Sequence, residues 1–309
     1  MTRPVLLLTG ASGFIGRQVL PALLDRGFEV HAVSRTGAGP DLQGGDLPSV
    51  IWRRADLLDA SARRDVIAEL RPSYLAHLAW MVEPGKFWTA PENSNWLEAS
   101  ADLLSLFAAW GGKRALLAGT CAEYDWRLDL GRPWREDDPC APQTPYGQAK
   151  HELHLRAAEI AAQSGLSLVW ARLFMIFGPH EDQRRLVPSI CRSLLAEQEA
   201  TLTSGRQIRD FLDTRDIGAA LAALVAGKVE GPVNVASGEA RSLASLAREL
   251  GALAGRPELI RLGALPERAG EPPVLVADIG RLRDEAGFRP GASFSARLAQ
   301  CLDWWRAEN

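Results

Sequence analysis

Short unbroken apolar runs alternate along this chain with longer stretches in which apolar residues recur every three or four positions. The run Pro4–Leu8 gives way to the helical pattern Phe14–Arg26, and the exchange repeats through the first half of the chain. The runs predict buried parallel strands at 4–9, 28–33, 50–55, 73–78, 114–119 and 167–172. The spaced patterns predict helices at 14–26, 61–69, 95–110 and 146–163. Such alternation predicts an α/β fold built on a Rossmann-type, doubly wound parallel sheet. After Gly178-Pro179 the rhythm changes. Helices are expected at 186–196, 214–226 and 243–254, strands at 232–236 and 259–262, and a terminal helix near 296–307. Residues 1–178 therefore read as the sheet domain and 179–309 as a smaller α/β lobe, with chain crossings between them. A ligand cleft between the two follows from the general rule for open α/β sheets.

The turn after the first strand carries Gly10, Gly13 and Gly16, with Ser12, Phe14 and Ile15 between them. Gly10 suits a tight turn, Gly13 lets backbone approach a pyrophosphate, and Gly16 lets the helix pack closely on the sheet. The helix N-terminus offers N–H groups and a positive dipole end to phosphates. The spacing is Gly-x-x-Gly-x-x-Gly rather than the Gly-x-Gly-x-x-Gly of other dinucleotide folds. The second strand ends at Ser34-Arg35, where an acidic residue would accept the ribose 2′-hydroxyl of NAD. Ser34 can donate to a 2′-phosphate and Arg35 can pair with it, which favours NADP(H) over NAD(H), with NAD(H) still possible. Asp56-Leu57 follows the third strand and either clamps the adenine or caps the next helix. Residues 35–48 read as an exposed loop.

The 309 residues are 47% apolar, enough for a large core. The net charge of −3 leaves no basic surface for nucleic acid or an anionic membrane. Cys121, Cys140, Cys191 and Cys301 are scattered, as expected in a reducing cytoplasm and not in a disulfide framework or a zinc site. His151 and His154 share a helix edge, but no neighbouring cysteine or carboxylate completes a metal site, so none is expected. No signal peptide or membrane-spanning run is visible.

A second signal lies downstream. Ala115–Thr120 brings a strand to its carboxyl end, and Tyr146 and Lys150 stand at i and i+4 on a helix that opens with Pro145. A lysine ammonium beside a phenol favours phenolate and lowers its pKa towards working pH. The expected chemistry is proton transfer between Tyr146 and a substrate oxygen, held also by Thr120, while a nicotinamide moves hydride at carbon and Lys150 holds its ribose.

With these residues the chain resembles the extended short-chain dehydrogenase/reductase family, in its nucleotide-sugar epimerase/dehydratase/reductase branch, over nearly its whole length. Thr9–Gly16 is similar to the cofactor loop. His77-Leu78-Ala79-Trp80 is similar to the segment near the nicotinamide, placing Ala79 by the cofactor and Trp80 by the substrate. Thr120, Tyr146 and Lys150 fall on the catalytic positions. Arg172–Pro179, with Met175 where many members have asparagine, resembles the crossing into the substrate lobe. Arg209-Asp210-Phe211-Leu212 with Asp216 resembles a motif that implies Arg209 on the substrate diphosphate, unless Arg209 pairs with Asp210 or Asp213. Arg268, followed by Glu271 and Asp278, resembles a second phosphate-binding arginine. Arg185 to Pro188, including Val187, is expected near the base. Trp126 and Trp134 join Trp80 as aromatic candidates for the cleft, although tryptophan also serves cores and interfaces. The resemblance implies a homodimer through the helices at 95–110 and 146–163.

Within this branch, 4,6-dehydratases carry Asp-Glu after the catalytic threonine, and this chain has Cys121-Ala122. The resemblance and the Ser34-Arg35 pair imply an NADPH-dependent 4-ketoreductase of a nucleotide-linked 4-keto-6-deoxyhexose. The alternatives are a 4-epimerase, or an atypical dehydratase using Cys121 or Glu123. A regulator that binds NADP without catalysis has no need of Thr120, Tyr146 and Lys150 together.

Overall fold

The computed structural model describes residues 3–39, 49–267, 270 and 272–308. Seven parallel strands form its central sheet: β1 (Val5–Thr9), β2 (Glu29–Ser34), β3 (Val50–Arg54), β4 (Tyr74–His77), β5 (Arg114–Thr120), β6 (Ser167–Leu173) and a late strand at Gly231–Val235. Across the sheet the order is late strand, β6, β5, β4, β1, β2, β3. The strand order reverses between β1 and β4, where open α/β sheets leave a crevice at their carboxyl ends. Helices α1 (Gly16–Asp25), α2 (Ala60–Leu70), α3 (Glu92–Ala109) and α4 (Pro145–Ser164) connect these strands. Leu103, Leu104 and Phe107 of α3 and Leu153 and Ala157 of α4 fill the core on one face of the sheet.

Beyond β6 come β7 (Met175–Phe177), α5 (Leu186–Leu195), β8 (Ala200–Thr201), β9 (Ile208–Arg209), β10 (Phe211–Asp213) and α6 (Thr214–Ala226). The late strand is β11, followed by β12 (Arg241–Ser242), α7 (Leu243–Leu253), β13 (Ile260–Arg261), β14 (Val274–Leu275) and α8 (Phe294–Glu308). The chain crosses back over the division at 178/179: α6 and β11 return to the sheet domain. Leu221, Leu224 and Val225 of α6 pack with Val19, Leu20 and Leu23 of α1 on the opposite face from α3 and α4. Buried Arg114 at the start of β5 fastens this return. Its guanidinium donates to the carbonyls of Leu224, Val225 and Val229, filling the open acceptors at the end of α6. The smaller lobe keeps its own core, with Val187, Ile190, Leu246, Leu250, Leu298 and Leu302 at its centre.

Helix α4 is closed at both ends by local chemistry. Thr144 Oγ1 accepts from the Gly147 amide at 3.1 Å, Pro145 opens the first turn, and Gly165 ends the helix at φ +70°. No helix among the described residues is long and apolar enough to cross a membrane.

Candidate active site

The glycine turn has the geometry its spacing predicts. Gly10 has φ +70°, and a Cβ there would stand 2.7 Å from the Ala79 amide nitrogen. A Cβ on Gly16 would meet the Gly10 carbonyl oxygen at 2.1 Å, so the helix lies against the turn. Gly13 is different: it is exposed, and an added Cβ would meet only Gly10 O, at 3.2 Å. The backbone at Gly13 is thus free to approach a pyrophosphate. Ser12 is exposed, and Phe14 and Ile15 are half-buried beside it. This cradle fits a dinucleotide.

Behind the cradle, Thr9 Oγ1 accepts from the amides of Leu78 and Ala79 and lies 2.7 Å from His77 Nδ1. Its hydroxyl proton is then free to go to Nδ1, which makes Nε2–H the donor to Ser100 Oγ at 2.8 Å. Burial and the nearby Lys150 charge lower the His77 pKa to about 3, so the ring is neutral. It pins β1, β4 and α3 together beneath Ala79.

At the end of β2 the structure corrects the reading of Ser34. Its hydroxyl is buried, donates to Ala38 O at 2.8 Å and accepts from the Gly37 amide at 3.0 Å. The local turn claims it. Arg35 is exposed, and Arg54, opposite Ser34 in the sheet, is exposed too. Asp56 is exposed and accepts from Leu58 N at 3.0 Å, whereas the cap of α2 is Asp59, bonded to Ser61 N at 2.8 Å. Leu57 is a core residue beside Val66 and Ile67, which removes its side chain from the adenine position.

Thr120, Tyr146 and Lys150 converge at the carboxyl end of β5 and are 8%, 9% and 4% exposed. The Thr120 side chain acts on the Tyr146 phenol and favours its ionised form. Lys150 Nζ donates to Ala118 O at 2.9 Å and lies 3.8 Å above the Trp80 ring. The electrostatics differ from the sequence expectation. Burial raises the Tyr146 pKa above the ordinary phenol value, against the opposing pull of the Thr120 side chain and the Arg185 charge. Burial also lowers Lys150 to about 7, opposed by the Glu123 charge. Tyr146 therefore stays protonated across the working range while Lys150 titrates within it. If the charged lysine supports the reaction, kcat/KM for carbonyl reduction falls as pH rises through about 7. In Lys150→Arg the charge persists and that limb moves up by roughly one unit or more. An unmoved limb contradicts the assignment.

Glu123 needs the plainest correction. The single 3-10 turn Cys121–Glu123 folds its carboxylate back into the core, where it has no exposure. Oε1 accepts from the Thr120 amide at 2.8 Å and Trp170 Nε1 at 2.9 Å, and Oε2 lies 3.2 Å from Arg172 Nε. It is a support for Thr120 and not a substrate contact. Cys121 is buried and its thiol is pushed up to about 12 by burial. Glu123 has no exposed surface from which to serve as the acid or base of a dehydratase, and burial holds the Cys121 thiol in its protonated form.

The same turn brings Glu123 to the histidine pair, so a carboxylate does reach it. Glu123, His151 and His154 offer ligand atoms within 4.8 Å of one another. Arg172 and Trp170 already bond that carboxylate, and His154 stacks on Trp170 with ring centres 4.9 Å apart. The arginine supplies the positive charge a metal would bring, which leaves the cluster an ion pair.

On the substrate side, Arg209 is buried, donates to Ile208 O and Pro272 O, and places its charge near Cys121. Asp210 and Asp213 are engaged elsewhere. Asp210 accepts from the Ser237, Gly238 and Ala277 amides, and Asp213 pairs with Arg215 at 2.7 Å. Met175 is half-buried on β7, and Arg185 stands at the N-terminus of α5 with its guanidinium 5.7 Å from the Phe87 ring centre. Val187 is buried in the lobe core at the start of α5. Arg268 and Glu271 lie outside the described residues. Trp134 stacks on Tyr124 in a separate core cluster and leaves the list of cleft residues. Two aromatics not singled out from the sequence take its place. Phe87 and Trp88 meet the Tyr146 ring edge-on, with centres 4.9 and 5.6 Å away. An open cavity of about 630 Å³ near Arg135, Asp278 and Arg281 shares no residue with this site.

A glycine cradle facing a Thr–Tyr–Lys constellation across the switch point of a parallel sheet defines a dinucleotide-dependent oxidoreductase site. Residues 6–236 match the model of the NAD dependent epimerase/dehydratase family, and the chain belongs to that family. Its relatives are extended short-chain dehydrogenases acting on nucleotide sugars. One is the dTDP-6-deoxy-L-talose 4-dehydrogenase (NAD(+)) of Aggregatibacter actinomycetemcomitans, 29% identical over 79% of this chain and 88% of that protein. Another is the dTDP-4-dehydrorhamnose reductase of Streptomyces griseus, 30% identical over 74% of this chain and 67% of that protein. The fold matches a UDP-N-acetylglucosamine 4-epimerase from Methanobrevibacter ruminantium M1, with TM-score 0.89, 24% identity and full coverage of both chains.

Proposed function

We propose that this protein is an NADPH-dependent 4-ketoreductase of a nucleoside-diphosphate 4-keto-6-deoxyhexose. The observation that carries the reading is the composition of the site around Tyr146. It holds a proton donor, a hydroxyl partner and a lysine, while the nearest carboxylate, Glu123, is turned into the core. Such a site has the groups for carbonyl reduction and lacks a free acid–base pair for elimination. The two relatives named as a 4-dehydrogenase and a 4-dehydrorhamnose reductase support the same direction.

The nicotinamide, when bound, supplies hydride to the C4 carbon. Thr120 and Tyr146 hold the C4 oxygen, and Tyr146 passes its phenolic proton to that oxygen as it becomes an alkoxide. The phenolate left behind is favoured by the Arg185 charge and by Lys150, one helical turn away, when it carries its proton. Exclusion of water from this buried site strengthens each of these interactions. Arg209 is proposed for the diphosphate, where its planar fork donates paired bonds.

The preference for NADP(H) rests on Arg35 and Arg54, two exposed cations at the ends of β2 and β3. Charge-assisted bonds of this kind contribute about 1.5–3 kcal/mol. Arg35→Ala is expected to raise KM for NADPH by roughly 10- to 100-fold and to leave KM for NADH within about twofold. Equal changes for both cofactors contradict the assignment. We also propose a homodimer through α3 and α4, on which Leu155 is 48% exposed. A cytoplasmic location is proposed from the four free cysteines.

The reaction type is tested by label transfer. Deuterium on the transferable position of NADPH is expected to appear at C4 of the product sugar. A product epimerised without label sinks the reductase reading.

A further inference from the structure

The segment between β4 and α3 builds an aromatic wall beside the reacting position. Phe87 meets the Tyr146 ring at 4.9 Å and 88°, Trp88 at 5.6 Å and 89°, and Trp80 at 6.5 Å and 76°. Trp126, arriving from the turn after Thr120, meets Trp88 at 6.2 Å. The wall is held by its backbone. Asn93, itself buried, donates to Phe87 O at 2.7 Å and Ala90 O at 2.9 Å, and the Tyr146 amide donates to Trp88 O at 3.2 Å. Trp126 spends its indole N–H on Cys121 O at 3.0 Å and Trp80 spends its own on Asn93 Oδ1 at 2.8 Å. Two of the three indole N–H groups are thereby taken up inside the protein, so the wall is apolar except for the Trp88 indole N–H. Trp88 and Trp126 are half-buried, at the margin of the cleft, while Phe87 is buried behind them.

A sugar whose C4 oxygen lies between Tyr146 and Thr120 brings the substituents of C3 and C5 against this wall. In a hexose C3 bears a hydroxyl, which needs a partner, and C5 bears a carbon group. An aromatic wall therefore matches the C5 side. We propose that Trp88 and Trp126, backed by Phe87, determine specificity at the C5 substituent, accepting a methyl group and disfavouring a hydroxymethyl group. This rests on the nucleotide-sugar reading above and extends it from the reaction to the residues that select the sugar. An apolar surface rejects an added hydroxyl by about 10²-fold at most, because the hydroxyl keeps part of its hydration at a margin that is half open.

The test is calorimetric binding to the cofactor-loaded protein with unreactive probes: dTDP-6-deoxyglucose, dTDP-glucose and free dTDP, with the UDP series in parallel. The 6-deoxy sugar is expected to bind roughly 10- to 100-fold more tightly than its hydroxymethyl counterpart. Trp88→Ala is expected to bring the two within about threefold, Trp88→Phe to keep a clear preference, and free dTDP or UDP to bind all variants equally. The last readout shows that the lobe is intact, and Trp126→Ala serves in place of Trp88→Ala if that variant does not fold. Equal binding of both sugars to the unmodified protein overturns the proposal, as does a preference that survives Trp88→Ala and Trp126→Ala alike. If neither free diphosphate nor any sugar conjugate binds, the nucleotide-sugar reading itself falls, and this proposal with it.

Discussion

Tyr146→Phe is expected to lower kcat by about 10³-fold, within the 10²- to 10⁴-fold range of a lost general acid, and to leave the affinity for cofactor within about twofold. The substitution removes one oxygen from a ring whose position is fixed by Phe87, Trp88 and Trp80, so the packing survives. What disappears is the phenolic proton beside Thr120. The cofactor cradle stands on Gly10, Gly13 and Gly16 and on the Thr9–His77 contact, none of which involves the phenol. Stopped-flow reduction with and without a sugar substrate, beside a fluorescence titration of NADPH, separates the two effects. A variant that keeps more than about a tenth of the rate removes Tyr146 from the proton step.

The second large effect is on stability. Glu123→Ala is expected to cost about 3–5 kcal/mol, the usual penalty for leaving one member of a buried ion pair alone. Arg172 would lose its carboxylate 3.2 Å away, and the Thr120 amide and the Trp170 indole would lose an acceptor at 2.8 and 2.9 Å. Because the Thr120 amide is among the orphaned groups, kcat should fall as well. Replacing both partners, Glu123→Ala with Arg172→Met, is expected to recover part of the lost stability but not the lost rate. Denaturant unfolding measures the first and steady-state kinetics the second. A loss below about 1 kcal/mol places the pair in the weak class of surface ion pairs and contradicts its structural role.

The two corrections near the site share a cause. Ser34 and Glu123 stand where their residue types suit a ligand, and both are claimed by a turn a few residues long. Ser34 is taken by Gly37 and Ala38, and Glu123 by the 3-10 turn that carries Thr120. Sequence spacing identifies a hydroxyl or a carboxylate near a site. It does not say whether a local backbone amide reaches it first. By contrast, Gly10 and Gly16 were legible because the first takes a positive φ and the second lies against the Gly10 carbonyl within the turn itself. The placement of Tyr146 and Lys150 on one helix was legible because one helical turn joins them.

The sheet followed from periodicity up to β6, since most of these strands carry apolar runs and spaced helical patterns follow β1, β3, β4 and β5. The return of α6 and β11 to the sheet was not legible, because it depends on pairings such as Val233 with Ala171 and on Arg114 reaching Leu224 and Val229. Phe87 and Trp88 were missed for a different reason. They lie in an irregular segment with no period, and only a tertiary contact with Tyr146 gives them a role.

The central claim is net reduction of a nucleotide-linked 4-keto sugar at the expense of NADPH. The most direct measurement follows the reduced-nicotinamide absorbance of NADPH, with NADH in parallel, against dTDP-, UDP-, CDP- and GDP-linked 4-keto-6-deoxyhexoses. Stoichiometric loss of NADPH with one of them is the predicted result. Tight cofactor binding with no consumption by any of them, accompanied by interconversion of sugar isomers, contradicts it and makes the protein a redox-neutral epimerase.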